Sequence, residues 1–311
     1  MIRFIKHSEI DFAKWDDCIL NALNGYIYGF SWYLDIVCED WDALVEDDYK
    51  SVMPLPLKKR FGMKFCYQPF FCQQLGVFSK DLLGDDKVDL FINEIPKALK
   101  HVRVNLNKFN QTRNTNIFVN HRNIELDLIP DYEALSENYH KNLKRNLEKS
   151  KDSKLNIVPN VRPEILIDLF KADKGHEFKH LREDSYNRLK RLIYAGMHNG
   201  TATTFGVFDQ MNQLVSGAVF FDSHQRLIFL FSANSDQGRE LFALGNLIDF
   251  IIRKNASKNL TLDFEGSDNE GLARFYLGFG AKEYSYSELS LNRMNRLTNM
   301  FYSLYQKNKR S

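Results

Sequence analysis

Two carboxylates and a tyrosine near the C-terminal end have the types and spacing needed for proton transfer. Residues 260–265 read LTLDFE and predict a strand on which Asp263 and Glu265 point to the same side. Glu265 ends this strand, and open α/β sheets place their chemistry at strand ends. We expect Glu265 to hold an ammonium group or take its proton, Asp263 to orient it, and Tyr276 to protonate a leaving group. The structural alternatives are a helix cap or a pair with Arg274 for Glu265, and a buried hydrogen-bonded ring for Tyr276.

Polar residues follow the preceding predicted strand. Ser232 and Asn234 come directly after the apolar run 226–231. Backbone amides at such a strand end and these two side chains can donate hydrogen bonds to a carbonyl group. The alternative is that Ser232 and Asn234 only cap the turn, because both are ordinary turn residues.

A competing motif is the sequence HEFKH at 176–180, which matches the H-E-x-x-H pattern of zinc proteases. Two histidines four residues apart on a helix share a face and can bind zinc, with Glu177 as the base. The motif follows Gly175 at a helix end, and no third ligand follows it. We therefore expect no metal, and interpret the segment as a polar turn from which His176 contacts substrate.

The composition is that of an ordinary folded protein. The 311 residues are 44% hydrophobic and 26% charged, with a net charge of +2 that argues against a general nucleic-acid coat. The four cysteines form no CxxC pair, so we expect buried free thiols. No signal peptide or membrane-spanning run is visible, and a cytoplasmic location follows by default.

The second half of the sequence predicts a mixed sheet. Three short apolar runs separated by turns indicate an antiparallel meander, which a strand–helix–strand crossover follows. The predicted elements are strand 155–159, helices 162–173 and 183–199, strands 202–208, 214–221 and 226–232, helix 239–255, strand 260–265, helix 270–278, strand 282–291 and a surface helix over 295–308.

The first half repeats this order of elements without residue-level identity. We therefore predict an α+β fold with mixed sheets, built as a domain over 1–130, a connecting helix within 131–154 and a domain over 155–311. The predicted elements of the first half are strand 2–6, helices 11–23 and 31–38, strands 43–46, 51–57 and 63–69, helix 85–99, and strands 102–106 and 117–128.

The connecting helix is predicted to be amphipathic and basic. Over 131–150, Leu135, Tyr139, Leu143 and Leu147 recur at every fourth residue, which forms an apolar stripe. Lysines and arginines fall on the opposite face, where they are either solvated or in contact with phosphate groups. No Pro-, Gly- or Ser-rich linker is present, so we expect the halves to pack as one unit. The basic face consists of Lys141, Lys144, Arg145 and Lys149.

The segment 232–293 resembles the Fem-type aminoacyltransferases and their bacterial relatives, which carry two N-acetyltransferase-like (GNAT) units in tandem. The resemblance rests on the order strand, turn, helix, then LDFEGS and GLARFYLGFGA. The basic segment 139–155 is similar to the helix before the second GNAT unit of these proteins, and YQPFFCQQLGVF at 67–78 looks like their first-unit strand and loop.

The resemblance implies roles for several residues. In the related fold the strand that ends near Ser232 separates from its neighbour and leaves a wedge for the acyl group. The resemblance therefore places the acyl donor along 232–245, with Ser232, Asn234, Gly238, Arg239 and Gly245 as donor-binding residues. The sequence QGREL at 237–241 departs from the usual spacing of the coenzyme A loop of acetyltransferases. The remaining implied contacts are Lys144 and Arg145 to donor phosphates, and Tyr67, Gln73, Gln74 and His176 to the acceptor in a groove between the halves.

The sequence therefore predicts an N-acyltransferase of the GNAT and Fem-like superfamily. The donor is a thioester, with acyl-coenzyme A as co-substrate, or an ester, and the acceptor is a small-molecule amine. One alternative is an aminoacyltransferase that uses charged tRNA and acts on a cell-wall or lipid precursor. The other is a degenerate tandem fold that binds a ligand without turnover.

Overall fold

The chain divides into two compact units. Unit 1 comprises Met1–Asn120 together with the chain from Tyr286 onward, and unit 2 comprises His121–Ser285. This division differs from the predicted domains over 1–130 and 155–311, which stay a prediction. The computed structural model describes residues 1–60, 62–113, 118–175, 177–178, 181–266 and 269–296.

The N-terminal half forms strands and helices close to the predicted positions. Its first helix begins at Asp11, whose carboxylate accepts a hydrogen bond from the Lys14 amide at 3.2 Å, as an N-cap does. The elements are β1 Ile2–Ile5, α1 Phe12–Leu20, α2 Ser31–Val37, β2 Asp40–Glu46, β3 Ser51–Arg60, β4 Met63–Tyr67, β5 Phe78–Ser79, α3 Asp85–Asn93, β6 His101–Asn105 and β7 Phe118–Asp127.

The C-terminal half also follows the predicted order. Pro163 occupies the first turn of its helix, where backbone N–H groups form no hydrogen bond within the helix, so the N–H that proline lacks is not missed. Most of the predicted helix over 295–308 lies outside the described residues. The elements are α4 Tyr132–Glu137, α5 Lys141–Ser150, β8 Asn156–Pro159, α6 Pro163–Lys174, α7 Glu183–His198, β9 Ala202–Phe208, β10 Leu214–Ser223, β11 Arg226–Asn234, α8 Asp236–Glu240, α9 Ala243–Asn255, β12 Thr261–Asp263, α10 Glu270–Leu277 and β13 Lys282–Asn292.

The sheets of the two units have the same plan, with one parallel pair among antiparallel strands. In unit 1 the order is β1-β2-β3-β4-β6-β13, and β4 and β6 are parallel. In unit 2 the order is β7-β12-β11-β10-β9-β8, and β11 and β12 are parallel. The last strand of the N-terminal half, β7, thus pairs with β12 of the C-terminal half. The last strand of the C-terminal half, β13, pairs with β6 of the N-terminal half. The repeated order of elements does not reveal this pairing, because it joins strands that lie far apart in the sequence.

Two predicted helices are each broken into two. The helix predicted over 131–150 is interrupted between α4 and α5, where the His140 amide donates to the Gly278 carbonyl at 2.8 Å instead of continuing the helix. The helix predicted over 239–255 is interrupted at Phe242, which has a left-handed backbone with φ +56°. Both breaks are set by tertiary contacts and backbone geometry that helical periodicity does not report.

The core of unit 2 lies between its sheet and the helices α5, α9 and α10. It includes Leu126, Phe220, Leu247 and Leu262, all nearly inaccessible to solvent. The predicted stripe of the connecting segment contributes Leu135, Tyr139 and Leu143 to this core, and Leu147 packs against its edge.

Unit 1 has an aromatic core of its own. Trp15 and Trp41 are buried with ring centroids 5.0 Å apart, and the Trp15 indole N–H donates to the Gly29 carbonyl at 2.8 Å. All four cysteines are buried free thiols, as the sequence predicted. Within the described part of the chain, no helix combines the length and the apolar character that crossing a membrane requires.

Candidate active site

Strand β11 is longer than its parallel neighbour β12. Among the described residues, the parallel pairing ends at Ile228 and Asp263, whereas on the other edge β11 stays paired with β10 as far as Asn234. The parallel strands therefore part after Ile228, four residues earlier than the expected position near Ser232. The edge of β11 from 229 to 234 has backbone groups that a bound ligand can pair with.

A β-bulge lies in the same part of β11. Val219 pairs with Phe231 and Phe220 pairs with Phe229, so Leu230 is an extra residue on β11. A bulge bends the strand and leaves the extra residue outside the regular ladder, and bulges are frequent beside active sites. An amide that is free of the ladder can donate to a carbonyl oxygen that gains negative charge during acyl transfer.

Glu265 lies just beyond β12 in a conformation that is unusual for a side chain with a Cβ atom. Its backbone has φ +55°, and its amide donates to the Asp263 Oδ1 atom at 2.9 Å. Glu265 does not cap the next helix, α10, which was its structural alternative. The N-cap of α10 is Asn269, whose Oδ1 atom accepts a hydrogen bond from the Leu272 amide at 3.1 Å. Strained residues of this kind cluster at functional sites.

Tyr276 is brought close to Glu265. The residue is 4% exposed, and its ring stacks on Phe264 with a centroid distance of 4.6 Å and forms a T-shaped contact with Phe229 at 5.9 Å. Burial, and secondarily the charge of Glu265, raise the pKa of the Tyr276 phenol. The phenol therefore keeps its proton at neutral pH and has a proton to donate.

Asp263 belongs to a buried ionic cluster. Its Oδ2 atom lies 3.0 Å from the Arg226 guanidinium, and the same guanidinium nitrogen lies 2.9 Å from the Glu125 carboxylate. Asn123 donates to that carboxylate at 3.0 Å. Complete burial raises the pKa of the Asp263 carboxyl, which the charge of Arg226 counteracts. Asp263 therefore positions the backbone of Glu265, and the direct catalytic part predicted for it stays a prediction.

Two of the predicted donor-binding residues, Ser232 and Asn234, lie in the last part of β11 and pair with β10, whereas the sequence placed them in a turn after the strand. Ser232 is half-buried, and the Asn234 Oδ1 atom is buried without a hydrogen-bond partner among the described residues. The Arg239 guanidinium forms two hydrogen bonds with Asp173, at 2.9 and 2.7 Å, and a third with the Asn234 carbonyl at 2.6 Å. Arg239 thus already has an acidic partner, and its predicted contact with a donor phosphate requires this pair to open.

Two glycines of this segment lie where there is no space for a side chain. A Cβ atom on Gly245 of α9 would lie 2.1 Å from the ring of Phe242. On Gly238 of α8 it would lie 2.2 Å from the Val215 carbonyl oxygen of β10 and 2.4 Å from the Asn234 Oδ1 atom. Both glycines therefore shape the turn, whereas contact with a donor stays a prediction.

Substituting Gly238 should destabilise the protein. Because the obstructing oxygen of Val215 belongs to a strand backbone, Gly238→Ala should lower the free energy of unfolding by about 1–3 kcal/mol. Urea denaturation of the full chain measures this. Gly271→Ala is the matched control, because a Cβ atom there meets only the Asn269 side chain at 3.2 Å and alanine favours a helix. Equal stability of the two variants would contradict the close approach.

The basic face of α5 is exposed as the sequence predicted. Lys144 and Arg145 are exposed to solvent, whereas Leu143, which directly precedes them, is buried. The Lys144 ammonium donates to the Glu137 carbonyl at 2.8 Å, which holds its side chain across the break before α5. Contact of these cations with phosphate groups stays a prediction.

The residues predicted to contact an acceptor lie in unit 1. The Tyr67 hydroxyl accepts the Glu39 amide at 3.3 Å, and Gln73 accepts a hydrogen bond from Gln74 at 2.7 Å. Gln74 is fully buried and accepts the Lys108 amide at 3.0 Å, so it supports the loop rather than presenting a surface to substrate. His176 lies outside the described residues, and its predicted role stays a prediction.

The parallel pairing of β4 and β6 in unit 1 continues beyond the two strands, whereas the pairing of β11 and β12 in unit 2 stops at Ile228 and Asp263. After β4 and β6, Leu75 forms a parallel bridge with Leu106, and its amide donates to the Asn105 carbonyl at 2.8 Å. The Gln68 side chain accepts the Asn105 amide at 2.9 Å. Backbone and side-chain bonds therefore close the gap that corresponds to the strand divergence of unit 2. This difference favours unit 2 as the donor side.

The zinc-protease motif receives no support from its described residues. His176 and His180 lie outside the described part of the chain, and Glu177 forms an ion pair with Lys174 at 2.6 Å. In the rest of the chain that the structure describes, no cluster of three potential metal ligands occurs.

Sequence reasoning missed Arg226 and Glu125, which hold Asp263. A signal for them was present, because Arg226 opens the apolar strand RLIFLF and Asp263 stands within LTLDFE. A charged residue on a strand that is otherwise apolar must find a partner once it is buried. Pairing these two charges would have predicted the ion pair between Arg226 and Asp263. Glu125 could not be predicted in this way, because it reaches the cluster only through the pairing of β7 with β12.

Comparisons with known proteins show where this fold occurs. No protein-family model and no curated protein sequence matches the chain. Among solved structures, FemX has a TM-score of 0.67 at 12% identity, over 94% of this chain and 98% of FemX. L-PGS from Bacillus licheniformis has a TM-score of 0.53 at 9% identity, over 95% of each chain.

A third similar structure is the C-terminal domain of a putative lysylphosphatidylglycerol synthetase from Agrobacterium fabrum. Its TM-score is 0.53 at 10% identity, over 94% of this chain and 96% of that domain. These similarities extend over nearly the whole of each chain, and they agree with the resemblance that the segment 232–293 carries. The protein therefore has the Fem-type, GNAT-like fold.

Proposed function

We propose that the protein is an N-acyltransferase, which moves an acyl group from a thioester or ester donor to an amine. The observation that carries this proposal is the parting of β11 and β12 after Ile228 and Asp263, with the bulge at Leu230 on one side. Glu265 and Tyr276 lie at the end of the shorter strand. An acyl carbonyl bound along the edge of β11 would thus lie beside a base and an acid.

The proposed reaction proceeds by direct attack. Glu265 takes a proton from the acceptor ammonium, and the nitrogen lone pair forms a C–N bond with the donor carbonyl carbon. Backbone amides near Leu230 stabilise the oxyanion of the tetrahedral intermediate. As the intermediate collapses, the C–S or C–O bond breaks, and the leaving thiolate or alkoxide takes the Tyr276 proton. The nitrogen loses its second proton to solvent, which leaves a neutral amide, and the proton held by Glu265 passes to the Tyr276 phenolate, so that both side chains return to their starting states.

A second candidate is a tRNA-dependent aminoacyltransferase that acts on a cell-wall or lipid precursor. The observation that favours it is the state of the donor loop, where Arg239 is already paired with Asp173 instead of being available to a coenzyme A phosphate. The exposed cations Lys144 and Arg145 on α5 suit a polyanionic donor. The similarity of the fold to FemX and to lysylphosphatidylglycerol synthetases agrees with this candidate.

Ligand-binding measurements on the full chain test the two donors. If the donor is coenzyme A-linked, acetyl- or longer acyl-coenzyme A should raise the thermal midpoint, because a ligand that binds the folded state stabilises it. If the donor is charged tRNA, the protein should retain tRNA at low salt and release it at high salt. The absence of both responses would contradict the proposal and favour a binding protein without turnover.

A further inference from the structure

A surface pocket of about 260 Å³ lies in unit 2. It is formed by the end of α5, the segment that leads into β8, and the outer face of α9. One side of the pocket is cationic and the other is apolar, and it shares no lining residue with the candidate active site. The cationic side consists of Lys151, Lys154 and Arg253, and the apolar side of Leu155, Ile157 and Phe250.

One acidic residue, Asp249, lines the pocket and offsets part of this positive charge through a long ion pair with Arg253. Asp249 accepts hydrogen bonds from the hydroxyls of Tyr132 at 2.8 Å and Tyr139 at 3.0 Å, and it lies 3.9 Å from the Arg253 guanidinium. Lys151 has an acidic partner of its own, Glu148, at 2.5 Å.

The two remaining cations differ in how they are held. Arg253 lies over the ring of Tyr132 at 4.1 Å and donates to its hydroxyl at 2.9 Å, so its planar group is held in place with other N–H donors to spare. Lys154 is exposed and forms no ion pair or side-chain hydrogen bond among the described residues. The pocket therefore carries excess positive charge next to an apolar wall.

We propose that this pocket binds a phosphate monoester that bears a small apolar or aromatic group. A phosphate group can pair with Lys154 and with N–H donors of Arg253, and the cations of the lining outnumber its one carboxylate, Asp249. The organic group then lies against Phe250, whose side chain is 37% exposed at the pocket. This inference does not rest on the proposed acyl transfer, because the pocket and the active site use different residues.

Isothermal titration calorimetry on the full chain tests the proposal with phenyl phosphate and inorganic phosphate as probes. Phenyl phosphate should bind with a dissociation constant on the order of 1 mM or lower. Inorganic phosphate should bind more weakly, because it leaves the apolar wall uncovered. Binding of both should weaken with added sodium chloride, since screening acts on exposed charges.

Charge-removing variants locate the site. Lys154→Gln should weaken phenyl phosphate binding about fivefold, as the loss of one exposed ion pair does, and adding Arg253→Gln should weaken it further. Lys258→Gln is the matched control, because Lys258 is exposed in unit 2 and does not line the pocket. It should leave the affinity within about twofold.

Three results would overturn the proposal. These are no binding of phenyl phosphate, equal binding of phenyl phosphate and inorganic phosphate, and equal weakening by the Lys154 and Lys258 substitutions. The urea midpoint of each variant shows whether it is folded. If only the Arg253 variant is destabilised, Lys154→Gln alone still decides the matter.

Discussion

Arg226→Met should lower the free energy of unfolding by about 3–5 kcal/mol, as the loss of one partner from a buried ion pair does. Arg226 is the cation that lies between the buried carboxylates of Glu125 and Asp263, at 2.9 and 3.0 Å. Methionine keeps much of the side-chain volume but leaves two acidic groups side by side without a compensating charge. Urea denaturation of the full chain measures the change.

The destabilisation should also depend on pH in a defined direction. Burial raises the folded-state pKa of Asp263 above its unfolded value, so this carboxyl favours folding at low pH and loses that contribution as pH rises through the folded pKa. Arg226 counteracts this shift, and its removal raises the folded pKa further. The loss of stability in Arg226→Met should therefore be larger at pH 8 than at pH 5.

Arg188→Met provides the control for this experiment. Arg188 pairs with Asp184 one helical turn away at 2.9 Å, and that carboxylate is largely exposed. Exposed pairs of this kind contribute about 0.3–0.5 kcal/mol, so the control should change little at either pH. A loss in Arg226→Met no larger than that of the control, or one that grows as pH falls, would show that the cluster is not a stabilising ion pair.

The sequence predicted most of the individual strands and helices because their periodicity is local. The run 202–208 and strand β9 coincide, and α7 differs from its predicted range by one residue at the C-terminal end. Burial of one face imposes these patterns on the residues themselves, so they can be read without knowledge of the rest of the chain.

Features that depend on distant segments could not be predicted in this way. The pairing of β7 with β12 joins residues more than 130 positions apart, and no local pattern distinguishes it from pairing within one half. The break between α4 and α5 likewise depends on the Gly278 carbonyl, which lies far along the chain. Gly280 has φ +76° and allows the chain to turn back beside Asn138, which helps to place this contact.

The candidate site, like the fold, could be predicted from the sequence only in its local features. Glu265 and Tyr276 were recognisable because a carboxylate at a strand end and an aromatic residue in the following helix are local features. The left-handed backbone of Glu265 and the bulge at Leu230 were not, since neither residue is a glycine or asparagine that announces such geometry. The burial of Gln74 was missed because a glutamine in a polar loop is normally exposed.

The bulge and the carboxylate together lead to a second large expected effect. If Glu265 takes the proton of the acceptor amine, Glu265→Gln should lower kcat/KM for acyl transfer by about 100-fold or more. The rate is measured as thiol released from the acyl-coenzyme A that stabilises the protein, or as aminoacyl transfer from charged tRNA. Glu270→Gln is the control, because Glu270 lies nearby on α10, is exposed, and pairs with Arg122. Its activity should stay within about twofold of wild type.

Glu265→Gly separates a catalytic role from a structural one. Glycine adopts φ +55° without strain, so this variant should be as stable as the wild-type protein or more stable by up to about 1 kcal/mol. It nevertheless lacks the carboxylate, and its activity should fall as far as that of Glu265→Gln. A strained residue whose removal improves stability and abolishes turnover is retained for its chemistry. If both variants kept full activity, Glu265 would not be the base, and if Glu265→Gly unfolded the chain, the carboxylate would be structural.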